Sequence, residues 1–476
     1  MTTEEKLLKA ETRRHFFSRC HLGLGQVALA SLLSPGLMDA ADKSAPKQKT
    51  HFPPKVKSVI YLFMAGGPSQ FELFDYKPDL QKHDGQVAPE SILKGKRFAF
   101  MDTFTKEPPK LLGTRREFKQ HGRSGIWVSD LLPRIGGVAD DLTLVSGIST
   151  ENFNHGPAKC FVNTGSTRFG RPSMGSWITY GIGSESEELP GFVVLQSGPR
   201  GPRGGAALWS SGFLPTSHQG VPFRSGGDPI LNLSTPKGIT ARTQRQSLDV
   251  IRDLNLAKLS ETGDEEINTR IAAYEMAYRM QTSGPELIDF SKEERKTLDM
   301  YGAEPGKASY ANNCLLARRL VERGVRFVQL YHTDWDHHAD LGQPLEQVCR
   351  EVDRPTAALI SDLKQRGLLD STLVIWGGEF GRTPMGEMRD KGKIGRNHHI
   401  DAYTMFMAGG GLRPGQTVGG TDELGFSPAK PISIHDLQAT MLHLLGLDHT
   451  KLTFRFQGRN FRLTDVSGEV IREALA

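Results

Sequence analysis

Helical patterns that run through a short glycine turn straight into continuous apolar runs constrain this chain more than any other feature. "NNCLLARRLVERG" leads into "VRFVQLYH", and "LEQVCREVDRPTAALISDLKQRG" leads into "STLVIWGG". An apolar run without polar alternation reads as a strand buried on both faces, and the helix before it supplies the crossover that a parallel pair needs. Similar runs are "VKSVIYLFM", "LTLVSGI", "GFVVLQSG" and "YTMFMAGGG". The expected fold is therefore α/β, with a mostly parallel central sheet and helices on both faces. Ligands of such sheets bind beyond the carboxyl ends of the strands, so the residues following each run are the ones to read for chemistry.

At 476 residues, 37% hydrophobic and 24% charged, the chain can bury a large core. A net charge of +5, scattered along the chain, forms no basic patch and argues against nucleic-acid binding. Four cysteines in this length are no disulfide framework. Residues 1–41 read as a twin-arginine export signal: "TRRHFF" places Arg13 and Arg14 before two aromatics, and the apolar stretch that follows is too short to span a bilayer. An amphipathic N-terminal helix is the plainer alternative. Export implies a periplasmic or extracellular location, the twin-arginine machinery as a partner, and no transmembrane segment beyond the leader. Residues 42–55 read as a polar linker and 56–476 as one domain with a helical insertion around 236–300. The Gly- and Pro-rich span 197–228 reads as a long surface loop or lid.

Three strand-end segments carry clustered acids and histidines. "HTDWDHHAD" offers Asp334 or Asp336 with His338, a carboxylate and imidazole set suited to a borderline divalent metal, against the plain reading of a solvated polar loop. "EFGRTP" places Glu379 at a strand end and Arg382 shortly after; the guanidinium fork suits phosphate or sulfate oxygens, although such a pair is often a plain salt bridge. "GRNHH" places His398 and His399 just before another strand. After the first strand, "GGPSQFELFD" makes a tight turn, with Ser69 as a helix cap and Glu72 and Asp75 as its acids.

Together with "HGPAKCFVNTG" (His155 to Gly165), "GRPSMGSW" and "GGGLRPGQTVGGTDE", these motifs resemble the alkaline phosphatase and sulfatase superfamily. More narrowly, they resemble a bacterial family of twin-arginine-exported, sulfatase-like proteins of unknown function. The resemblance implies an alkaline phosphatase-like fold. Sulfatases carry Cys-x-Pro-Ser-Arg followed by Leu and Thr-Gly; here Pro157, Lys159, Val162 and Thr164-Gly165 keep the spacing, and His155 replaces the cysteine that becomes formylglycine. The first-strand Asp of the superfamily is replaced by Ala65 and Gly66, so one metal site is expected rather than two.

The reading that follows is an exported metal-dependent hydrolase of phosphate or sulfate esters, acting without formylglycine on anionic esters such as sulfated or phosphorylated glycans. Asp336, His338, Glu379 and His398 or His399 are the expected metal ligands, with Zn or Mn favoured and Ca as a third option. His155, Lys159 and Arg382 are the expected catalytic residues: an acid/base or ligand, and two cations for the ester oxygens. The alternatives are a non-catalytic sulfatase-like binding protein for anionic glycans and a structural protein of the cell envelope.

Overall fold

The structure, a computed structural model, describes residues 50–94, 108–224, 238–264, 266–389 and 392–476. The span read as a twin-arginine leader and most of the span read as a linker lie outside the described residues.

The first strand, β1 (Ser58–Met64), is buried along its whole length because both of its faces are covered. Val59, Tyr61 and Phe63 pack into one apolar cluster, and Ile60, Leu62 and Met64 into another on the opposite face. This two-sided burial is why "SVIYLFM" shows no polar alternation. The other strands of the sheet are β2 (Leu142–Ser149), β3 (Phe192–Ser197), β4 (Val221–Phe223), β5 (Phe327–His332), β6 (Thr372–Gly377), β9 (Tyr403–Gly409), β10 (Gln416–Gly419) and β11 (Ile432–Ser433). A separate antiparallel pair, β7 (Gly381–Glu387) and β8 (Gly395–His399), stands between β6 and β9 in the chain.

The sheet order is β10-β2-β9-β6-β1-β5-β3-β4, with β11 also on β2. Pairings β1 to β5, β1 to β6, β3 to β5 and β3 to β4 are parallel. Among the described residues, only β9 runs against its neighbours in this sheet, β2 and β6. The fold is thus the expected mixed α/β, with a mostly parallel sheet.

Helices cover the two faces. On one lie α1 (His155–Thr164), α2 (Met174–Ile182) and, near the C-terminus, α7 (Ile434–Leu444); on the other lie α5 (Tyr310–Glu322) and α6 (Gln343–Gln365). Helix α5 begins where the Ser309 side chain accepts from the Asn312 amide. It ends before Gly324, whose positive φ of 83° turns the chain directly into β5. Helices α3 (Ala241–Thr262) and α4 (Glu266–Ile288) occupy the span read as a helical insertion. The span read as a surface loop packs more closely than its composition implies: Leu208, Trp209, Leu214 and Phe223 are buried, and β4 joins the sheet edge. Gly204, Gly205 and Gly212, all at positive φ, turn the chain near these anchors.

Among the described residues no helix is long and apolar enough to cross a membrane. Cys160, Cys314 and Cys349 are free thiols, all buried.

Past the end of β1 the chain must lie almost against the loop that follows β5. A Cβ added at Gly66 would meet the Asp336 nitrogen at 2.6 Å and the Trp335 backbone at 2.7 Å, and φ there is +133°. The close approach and the backbone conformation both require glycine. Gly66→Ala is expected to lower unfolding stability by about 2 kcal/mol or more, because it combines backbone strain with a clash that only main-chain movement relieves. Urea unfolding of the variant beside the wild type measures this, and an unchanged midpoint would remove the constraint.

Candidate metal centre

Three elements deliver four side chains to one point at the carboxyl edge of the sheet. His155 is the first residue of α1, placed by the loop after β2. Asp336 and His338 lie on the loop after β5. His398 comes from β8 of the antiparallel pair. One ligand atom from each of these four residues lies within 4.8 Å of every other, a grouping that could hold a metal ion.

Each imidazole is held from behind. His155 Nδ1 is 2.7 Å from Glu379 Oε1, His338 Nδ1 is 2.6 Å from Glu387 Oε2, and His398 Nδ1 is 2.7 Å from the Phe153 carbonyl. An acceptor at Nδ1 places the proton there and leaves the Nε2 lone pair facing forward, the arrangement that orients metal-binding histidines. The Arg389 guanidinium approaches the same His338 Nδ1 at 2.9 Å but also donates to Glu387, whose carboxylate is the nearer partner of the imidazole.

The forward nitrogens converge on Asp336. His338 Nε2 and His398 Nε2 are 3.0 and 3.2 Å from Oδ1, and His155 Nε2 is 3.0 Å from Oδ2. His338 Nε2 and His398 Nε2 are only 2.8 Å apart. His155 Nε2 is buried and, although Asp336 Oδ2 lies 3.0 Å away, makes no aligned hydrogen bond. With the protons of His338 and His398 at Nδ1, their Nε2 lone pairs face each other, which is costly unless a cation lies between them. Three imidazole nitrogens and one carboxylate oxygen are a donor set that fits such a cation.

The electrostatics agree with the geometry. Burial works against the charge on Asp336, but the three imidazoles and Arg382 outweigh it and hold its carboxyl well below the usual range. Burial, with Arg382 and the other two imidazoles behind it, depresses His398 to about 3 despite its contact with Asp336, so this ring is neutral and ready to coordinate. Burial also opposes a charge on His155, yet the carboxylates at its two nitrogens raise its pKa.

The other residues singled out in the sequence are placed differently. Glu379 is fully buried and sits behind His155 rather than among the four clustered residues; it accepts from the Gly66 amide at 3.1 Å and pairs with Lys159 at 3.2 Å. Burial disfavours its charge, but Lys159, His155 and the Gly66 amide outweigh this and bring its carboxyl down to about 2. His399 follows His398 in a strand, so its side chain takes the opposite face. There it contacts the Phe426 carbonyl at 2.7 Å, away from the cluster. Arg382 is also buried: it donates to the carbonyls of Gly66, Gly67, Trp335 and Arg396 and pairs with Asp336 at 2.7 Å. Those bonds engage all three guanidinium nitrogens and leave Arg382 as a strut rather than a partner for an ester oxygen. Asp334, the alternative to Asp336, pairs outward with Arg200 at 3.0 Å. Ser69 precedes a short helix without capping it; its hydroxyl bonds Glu72, which pairs with Arg396 at 2.7 Å. His155 and Lys159 line a cleft with Asp336, as their spacing of one helical turn allows.

Glu387 and the Phe153 carbonyl, which set the tautomers of two histidines, carried no sequence signal. Glu387 reaches His338 only because β7 folds back on β8.

A family model described as "Protein of unknown function (DUF1501)" matches residues 56–475. The chain belongs to that family. No curated protein matches the DUF1501 chain. Among solved structures, a protein in the alkaline phosphatase superfamily from Vibrio parahaemolyticus is 10% identical, with a TM-score of 0.37 over 89% of this chain and 75% of that one. A sulfatase from Pseudoalteromonas sp. is 12% identical, with a TM-score of 0.35 over 89% and 72%. A phosphonate monoester hydrolase from Silicibacter pomeroyi is 12% identical, with a TM-score of 0.33 over 82% and 73%.

If Glu387 orients His338, Glu387→Gln should weaken binding of Zn by roughly 10- to 100-fold while leaving the fold intact. Competition with a chromogenic chelator measures the affinity, and circular dichroism checks the fold. Wild-type affinity in a folded Glu387→Gln variant would contradict the assigned role.

Proposed function

We propose that the protein is an exported, metal-dependent hydrolase of phosphate or sulfate esters that works without formylglycine. One observation carries the reading: three imidazoles anchored at Nδ1 turn their Nε2 atoms onto Asp336, beside a cleft that also contains Lys159. His155, Asp336, His338 and His398 would hold the ion, and the nitrogen-rich donor set favours Zn or Mn over Ca. When bound, such an ion supplies Lewis-acid polarisation of an ester oxygen.

The chain's own groups do the rest. Lys159 is buried in the cleft wall and presents an ammonium that neutralises an oxygen of the bound ester. Glu379 balances that charge and fixes the His155 ring. Arg382 keeps the loop carrying Asp336 against the β1 turn, so the donors are positioned before substrate arrives. Placing His155 among the donors also accounts for the missing formylglycine cysteine: that position serves the ion instead. The same fact favours the second reading, a non-catalytic binder of anionic glycans, because it removes the side-chain nucleophile of a covalent route.

Protein purified without chelator should carry about one equivalent of a divalent metal, and His338→Ala should lower metal content and melting temperature together, since an ion that binds only the native state stabilises it. Elemental analysis and calorimetry read both. Hydrolysis of p-nitrophenyl phosphate or sulfate, lost with EDTA and restored by Zn or Mn, separates hydrolase from binder. A wild type that is metal-free and cannot be loaded would end both readings of the site.

Export rests on "TRRHFF". Replacing Arg13 and Arg14 by Lys should trap the protein in the cytoplasm; fractionation that finds the double variant outside it would exclude the twin-arginine route.

A further inference from the structure

The cleft has a floor and a mouth of different character. The buried His155 and Lys159 line the floor, the exposed Arg200 and Arg203 line the mouth, and Thr333, Asp334 and Asp336 complete the lining. Lys159 is 3% exposed, whereas the Arg200 side chain is 71% exposed. Both arginines come from the Gly- and Pro-rich span after β3, and that span is fixed where it crosses the cleft. The Thr333 hydroxyl donates to the Arg200 carbonyl at 3.1 Å, and Gly198, with φ of +100°, lets the chain lie directly on Thr333.

Arg200 is held at the mouth by Asp334, which accepts from its Nη2 at 3.0 Å and its Nε at 3.3 Å. Asp334 has a φ of +76°, one of three non-glycine residues in the left-handed region among those described. An unfavourable backbone conformation is retained here while its side chain points to Arg200 rather than to the donor cluster. The pair is half open to solvent, so it is weak and easily exchanged for another anion. Lys159 and Arg200 each already face a carboxylate, Glu379 and Asp334, whereas Arg203 adds a further guanidinium to the same lining.

We propose that the cleft selects substrates with a second anionic group beside the scissile one, taken at the mouth by Arg200 and Arg203. This rests on the ester-hydrolase reading and names its substrate class: a bis-anionic carrier, such as a multiply sulfated or phosphorylated saccharide. The floor takes the ester group that is cleaved. At the mouth, Arg200 leaves Asp334 for the second anion, and its planar fork matches a sulfate or phosphate group.

The test uses the full, metal-loaded protein and titration calorimetry with four probes: inorganic sulfate, inorganic phosphate, a disulfated disaccharide and a hexose bisphosphate. The wild type should bind at least one bis-anion about tenfold or more tighter than the matching inorganic ion, the size expected of a charge-assisted contact. Whichever bis-anion is favoured distinguishes a sulfated from a phosphorylated carrier. Arg200→Ala with Arg203→Ala should erase the advantage, Arg→Lys at both sites should keep part of it, and inorganic-ion affinity, metal content and melting temperature should stay at wild-type values. Should the double variant melt early, the two single Ala variants decide by the same readout. Retention of the advantage without the arginines, or no advantage in the wild type, overturns the proposal while leaving the hydrolase reading standing. A wild type that binds metal but none of the four probes strikes at the hydrolase reading itself.

Discussion

A single buried guanidinium holds together the segments on which the site depends. Arg382 donates to carbonyls of the β1 turn, of the loop after β5 and of β8, and it pairs with Asp336. These three segments are far apart in sequence, and each turns a carbonyl toward the same guanidinium. Each such carbonyl left without a donor would cost about 1 to 3 kcal/mol. A planar cation with five N–H groups serves more of these acceptors at once than the three N–H groups of an ammonium could. Gly66 completes the arrangement by permitting the approach of the two loops.

That frame explains the division of labour among the carboxylates. Asp336 faces the cleft and the forward nitrogens of three histidines, whereas Glu379 and Glu387 stand behind His155 and His338 and accept their Nδ1 protons. The rear carboxylates decide which tautomer is present and which way the ring turns, and so whether the lone pairs meet at one point. Lys159 offsets the charge of Glu379, which allows a fully buried carboxylate to remain ionised.

Much of the fold was legible because parallel sheets buried on both sides leave an unambiguous trace. Every residue of "SVIYLFM" is buried, and the glycine turn between α5 and β5 lies where the pattern changes period. Strand ends were therefore locatable, and with them the segments bearing His155, Asp336, His338 and His398. Within those segments the sequence could not choose. Asp334 and Asp336 have equal claims by composition, as do His398 and His399. Strand alternation sends His399 to Phe426, and a left-handed backbone sends Asp334 to Arg200. The Gly- and Pro-rich span does run largely over the surface, and only its anchors, Leu208, Trp209, Leu214 and Phe223, could not be told from composition.

By itself, then, the sequence determined the long apolar strands, their mostly parallel arrangement, the edge at which chemistry must lie and the inventory of donors, because hydrophobic periodicity and glycine turns act over a few residues. Only the tertiary structure decided which donors meet. Glu387 lies 49 residues from His338, and Asp336 lies 46 from Arg382. Their roles depend on angles and distances that arise when separate loops are drawn together, and no local pattern along the chain encodes a contact between segments so far apart.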